Sequence, residues 1–156
     1  MAREITGDRS ARELRCALVV SEFNPLVTHG LLEQALATLE EQGADPQQIT
    51  VVRVPGAFEL PLTAKRLAVS GQFETIICLG AVIRGETSHD ELVSDAAARG
   101  IMQASLETGI PIIFGVVTAE TVDQALDRAR PGERNRGRAA ALAAIEMATL
   151  IRRLKV

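Results

Sequence analysis

The sequence predicts an α/β protein: a four-stranded parallel sheet, doubly wound, between two layers of helices. Three observations carry that expectation. Short apolar runs alternate with longer segments of helical period along the 156 residues. The runs are apolar nearly throughout, as strands covered on both faces must be. A helical segment stands between each run and the next, and a parallel strand pair needs a crossover of that kind.

The elements follow in order. Arg15–Ser21 (RCALVVS) is a short buried strand with β-branched Val19 and Val20. A helix is expected over Leu26–Gly43, with Leu32, Leu36 and Leu39 at helical spacing. Pro25 suits its first turn and Gly43 its stop. ITVVRV, 49–54, is the second strand. After the turn PGAFE a helix runs over Leu60–Gly71, again stopped by glycine. Glu74–Ile83 is the third strand, and Ser88–Gly109 a long helix. Pro111–Val117 is the fourth strand. A short helix over Thr121–Ala129 and a closing one over Asn135–Leu154 complete the chain. Right-handed crossovers leave few topologies for this order. The one expected is a flavodoxin-like three-layer α/β/α sandwich in a single domain over 1–156, with ITGDRS (5–10) adding an edge to the sheet.

Bulk composition narrows the function. Net charge is −3 and charged residues make up 24% of the chain, ordinary for a globular protein. No basic face points to nucleic acid. No apolar run approaches the ~20 residues needed to span a bilayer. The first ten residues lack the apolar core of a signal peptide. Cys16 and Cys78 each lie in an apolar strand, so they read as buried thiols rather than a disulfide or a zinc site. The expected compartment is the cytosol.

In a doubly wound sheet, ligands bind outside the carboxyl ends of the strands. The four ends read SEFN, VPGAFE, GAVIRGETSH and FGVVT, and the unusual residues of the chain collect there. The chain has four Phe, no Trp and no Tyr. Phe23, Phe58 and Phe114 all fall on or beside this edge. Each alone reads as core; three together favour a pocket for a flat ring. GET, 85–87, opens the long helix, where free N–H groups and the helix dipole favour an anion. Ser88 with Glu91 reads equally as a capping box. His89 in the first helical turn is a solvated side chain by default. Beside an anion site it becomes a candidate general acid/base, because an imidazole titrates near working pH. No GxGxxG follows a strand, and there is no P-loop, receiver-type Asp cluster or nucleophile elbow.

The blocks SEFN, VPGAFELPLTAKRLA, CLGAVIRGETSHDELV, IPIIFGVVTAETVDQALDRA and NRGRAA resemble those of the 6,7-dimethyl-8-ribityllumazine synthase family, in order, from about Ala17 to the end. The resemblance implies riboflavin biosynthesis. In that reaction 5-amino-6-ribitylaminouracil condenses with 3,4-dihydroxy-2-butanone 4-phosphate through an imine, phosphate elimination and ring closure. It implies no cofactor and no metal. It implies that Phe23 stacks on the pyrimidine and that Ala57, Phe58 and Glu59 hold the ribityl chain. It implies that the backbone of Ala81, Val82 and Ile83 meets the pyrimidine edge. Glu86, Thr87 and Arg128 would bind phosphate, His89 would transfer protons, and Phe114 would touch the pyrimidine. It further implies a homopentamer with shared sites, in which Phe114 and Arg128 reach the adjacent subunit's pocket. Many members build a sixty-subunit icosahedral shell from such pentamers, with riboflavin synthase as a candidate partner.

The chain departs from the family at three points. Leu92 stands where an aromatic is common. The family's AGTKAGNKG is here ARPGERNRG, Ala129–Gly137, so one Lys becomes Gly132 and a Gly becomes Arg134. Pro131 adds a backbone constraint. The segment keeps the length of the shell-forming versions. Ala139–Ile151 and much of Ala96–Leu106 are apolar nearly all round, which also suggests a subunit interface. The competing reading is a non-catalytic lumazine- or flavin-binding or shell-forming paralogue. A flavodoxin-type electron carrier is disfavoured, because SEFNP is too short for a phosphate loop.

Overall fold

The computed structural model describes residues 1–154. Its strands are β1 (Cys16–Ser21), β2 (Ile49–Val54), β3 (Thr75–Ile83) and β4 (Ile112–Ala119). Its helices are α1 (Pro25–Glu41), α2 (Leu60–Val69), α3 (His89–Thr108), α4 (Val122–Asp127) and α5 (Arg136–Leu154). Single 3-10 turns at Pro46–Gln48 and Ala57–Glu59 were not anticipated. The remaining boundaries lie within two residues of expectation.

All strand pairs are parallel, in the order β2-β1-β3-β4. The chain therefore leaves β1 toward one edge and later returns to its other side. That reversal opens a crevice between the carboxyl ends of β1 and β3.

Two cores flank the sheet. On one face, Leu18 and Val20 of β1 and Ile77 and Leu79 of β3 meet Leu31 and Leu39 of α1 and Ile145 of α5. On the other, Ala17, Val19 and Ile76 meet Leu60 and Ala64 of α2 and Ile101 of α3. Cys16 belongs to the first face and Cys78 to the second. Both are free and fully buried, and burial pushes each thiol up to about 12.

Two expectations fail. ITGDRS adds no strand. The segment lies along α5 instead, where the Asp8 N–H donates to Thr149 Oγ1 (2.9 Å) and Asp8 pairs with Arg153. These side-chain partners on α5 take the place of a strand ladder. The second strand is also not covered on both faces: Thr50, Val51 and Arg53 are exposed. It is one of the two outer strands and is paired on one side only, with β1. Among the described residues no helix is long and apolar enough to cross a membrane.

At the amino ends of the strands, opposite the crevice, Glu74 accepts from Arg152 Nε (2.6 Å) and Nη2 (2.7 Å). These bonds hold its carboxyl below the usual glutamate range of 4.5. A carboxylate whose pKa is depressed by folding stabilises the fold above its unfolded pKa, and the contribution is lost as pH falls through the folded value. Arg152→Ala should therefore cost about 1–2 kcal/mol at pH 7, discounted for a partly exposed pair. The deficit should shrink as pH falls below the unfolded value of about 4.5. Urea unfolding at both pH values checks it; an equal deficit at both would remove the ion pair as the cause.

Candidate active site

The crevice is built from turns that follow the strands. After β1, the Glu22 N–H donates to the Val54 carbonyl (2.8 Å) and the Phe23 N–H to that of Pro55 (3.1 Å). These bonds lash the first turn to the second. Asn24 adopts a left-handed backbone (φ 62°), which asparagine tolerates better than most residues. Its Nδ2 donates to the Ala81 carbonyl at 3.2 Å, tying the same turn to β3. Pro25 then starts α1 at once, so the turn has no slack. Phe23 is left 72% exposed and Phe58 62% exposed, which excludes the core reading for both.

After β2, Gly56 donates its N–H to Glu59 Oε2 (3.1 Å). The contact fixes the 3-10 turn at Ala57–Glu59. It also leaves the second carboxylate oxygen of Glu59 without a partner among the described residues. A charged acceptor at a pocket rim suits hydroxyl groups.

After β3, the Arg84 N–H bonds the Ala119 carbonyl (2.9 Å), and pairing with β4 ends there. The N–H groups of Gly85 to Ser88 find no acceptor among the described residues. The expected Ser88–Glu91 capping box is not formed. Ser88 already has a near-helical backbone (φ −79°, ψ 8°), whereas a capping side chain needs an extended one. Thr87 takes over: its Oγ1 accepts from the His89 N–H at 3.3 Å. Glu86 and Thr87 are exposed on this turn, beside His89.

Together the turns enclose a cavity of ≈ 640 Å³. Phe23 and Phe58 line it from two turns, with Ala57 and Glu59 at the second. Ala81, Val82 and Ile83 supply the wall from β3, and His89 the wall from the start of α3. The size suits a small organic ligand. A flat ring could stack on exposed Phe23 while its edge meets strand-end backbone.

Four of the expected site residues are not on the cavity wall: Glu86, Thr87, Phe114 and Arg128. Phe114 is not at the carboxyl edge either. Strand β4 runs to Ala119, two residues beyond the expected end, and Phe114 lies inside it opposite Cys78, as it does within the expected span. It is 37% exposed there, with Ile112 and Val116 on the same face. Arg128 follows α4 and is exposed. Conversely, Asn24, Asp90 and Val93 line the cavity without having been anticipated. Asn24 sits in the SEFN turn, and its role is legible only in three dimensions. Leu92, one of the departures from the family pattern, also lines the cavity.

Comparison with known proteins gives a family match over most of the chain. Residues 13–152 match the family described as 6,7-dimethyl-8-ribityllumazine synthase. A relative of that name from Salinibacter ruber is 50% identical over 155 residues, 99% of each chain. One from Syntrophus aciditrophicus is 51% identical over 148 residues, covering 95% of this chain and 96% of its own. One from Chlorobium luteolum is 47% identical over 152 residues, covering 97% of this chain and 98% of its own.

Proposed function

The chain belongs to the 6,7-dimethyl-8-ribityllumazine synthase family, and from that premise we propose how its cavity makes the lumazine. The enzyme acts in riboflavin biosynthesis. It condenses 5-amino-6-ribitylaminouracil with 3,4-dihydroxy-2-butanone 4-phosphate and releases phosphate and water.

The uracil ring stacks on Phe23 and turns its polar edge to the backbone of Ala81, Val82 and Ile83. The ribityl chain runs over Ala57 and Phe58, and its hydroxyls donate to Glu59. The free amine attacks the ketone carbonyl, and loss of water leaves the imine. Phosphate then departs, and ring closure expels a second water. Each of these steps moves a proton, and His89 is the cavity's candidate carrier. Glu86, Thr87 and Arg128 receive the phosphate. The free N–H groups of Gly85 to Ser88 are well suited to the same anion. The observation that carries this reading is the cavity itself, in which an exposed ring, a carboxylate and an imidazole converge on one strand edge.

The working unit is a homopentamer with shared sites. Phe114 and Arg128 lie off the cavity of their own chain, and in an oligomer they can complete a neighbour's. Leu92, Met102 and Leu106 leave apolar surface exposed along α3, which a neighbouring subunit would cover. Helix α5 contributes less than its composition suggests, because Ala140, Ala141, Ala144, Ile145 and Ala148 are already buried within the chain. Assembly of pentamers into a shell and a partnership with riboflavin synthase belong to the same reading. So does one domain over 1–156, working in the cytosol, where thiols stay reduced.

One assay tests the chemistry: both substrates are mixed and the lumazine is followed by its fluorescence. Binding without product would favour the non-catalytic alternative. The shared site is tested by reassembling His89→Ala subunits with Arg128→Ala subunits and assaying at low phosphate-substrate concentration, where both parents are impaired. Activity should partly return, because some interfaces then combine two intact halves. No recovery in oligomers proven to be mixed would put the site within one chain. Light scattering should give a pentamer or a multiple of it.

A further inference from the structure

The corner between α4 and α5 carries three arginines, Arg128, Arg130 and Arg134. Arg134 pairs with Asp127 at 3.1 Å and Arg130 with the same carboxylate at 3.9 Å. Arg128 has no acidic partner among the described residues. Its backbone is held on both sides: its N–H donates to the Ala125 carbonyl (3.1 Å), and its carbonyl accepts from Arg136 N–H (2.9 Å). The chain thus leaves Arg128, loops out through 129–135, and returns to it.

The tip of that loop is closed by one backbone bond of its own, from the Asn135 N–H to the Gly132 carbonyl (3.1 Å). Arg130, Pro131, Gly132, Glu133 and Arg134 are all exposed. Asn135 is the exception, with 0% exposure. Its Nδ2 donates to the Arg130 carbonyl (3.0 Å) and to the Gly30 carbonyl (3.4 Å). Its Oδ1 accepts from the Arg138 N–H at 3.0 Å. One amide therefore joins the loop, α1 and the first turn of α5, using both donor and acceptor functions. Helix α1 offers bare backbone on either side of it. A Cβ on Gly30 would come within 2.4 Å of the Ala129 carbonyl oxygen, and one on Gly137 within 2.0 Å of the Leu31 oxygen. Only glycine permits so close an approach.

We propose that Asn135 is a positioning residue for the phosphate site: by closing the α4–α5 corner onto α1, it fixes the backbone from which Arg128 extends. This inference rests on the reading of Arg128 as a phosphate ligand. Aspartate lacks the two donors, and alanine lacks all three bonds. Without them the loop keeps only its backbone bonds, and the corner that carries Arg128 loses its side-chain tie to α1 and to the first turn of α5.

The test compares Asn135→Ala, Arg128→Ala and the double variant. Asn135→Ala should raise the KM of the phosphate substrate, and the Ki of inorganic phosphate, about tenfold, while the uracil KM stays within about twofold. In the Arg128→Ala background the same change should add nothing further, because the two residues act as one unit. Additive effects, equal changes for both substrates, or a loss confined to kcat would overturn the proposal. If Asn135→Ala does not fold, Asn135→Ser keeps an oxygen for the Arg138 N–H and is read in the same way. If neither folds, Asn135 serves folding alone and the proposal falls. A selective effect of Arg128→Ala without one from Asn135→Ala defeats this inference only. No selective effect of Arg128→Ala defeats the underlying reading of Arg128.

Discussion

His89→Ala should slow turnover by about a hundredfold or less while leaving the fold and the uracil KM near their wild-type values. General acid/base groups contribute roughly 10²–10⁴-fold. The lower end applies because an amine and a ketone condense to some extent without a catalyst. His89 begins α3 and lines the cavity, and among the described residues its ring has no hydrogen-bond partner. Its backbone N–H is what holds Thr87, and an alanine keeps that bond. The substitution therefore removes an imidazole and little else. Single-turnover measurements with both substrates saturating would read the chemical step. Added imidazole should restore part of the rate. A wild-type kcat would remove His89 from the mechanism.

Arg128→Ala should raise the KM of the phosphate substrate about ten- to a hundredfold and move the uracil KM far less. A charge-assisted bond to an anion is worth about 1.5–3 kcal/mol. Neighbouring arginines are poorly placed to compensate, because Arg130 and Arg134 are both drawn to Asp127. Arg128→Lys should recover only part of the loss, since an ammonium cannot make the bidentate contact of a guanidinium. Equal changes for both substrates would mean that Arg128 serves the structure of the corner rather than the phosphate.

Much of the fold was legible because each strand and helix is marked locally. Gly43, Gly71 and Gly109 each follow a helix, and each has the positive φ that stops it. The apolar runs became strands because their side chains fill both cores. What stayed hidden depends on pairing across the sheet. Nothing in ITVVRV says that it is an outer strand, so its exposed residues could not be foreseen. ITGDRS has a strand-like start, but its fate was set by Thr149 and Arg153, distant in sequence. At the site, the turns after β1, β2 and β3 were readable because a buried strand rarely empties into clustered polar residues unless they face a crevice. Phe114 was read with the carboxyl edge although it stands in the middle of the run Pro111–Val117; it lies inside β4, an outer strand, three residues or more from the strand's carboxyl end. Asn24 and Asn135 act through carbonyls far along the chain, and no local pattern announces such a bond.

The two cysteines have a use beyond packing. They sit on opposite faces of one sheet, each fully covered by a different helix layer. A thiol reacts as its thiolate and only when a reagent can reach it. Alkylation should therefore be negligible in the closed protein and proceed only through opening events. Cys16 reports when α1 and α5 lift, and Cys78 when α2 and α3 do. Two alkylation rates, separated by mass spectrometry of the peptides, become independent clocks for the two sides of the molecule. If both run at one rate the layers come apart together; if they differ, one side breathes while the other holds.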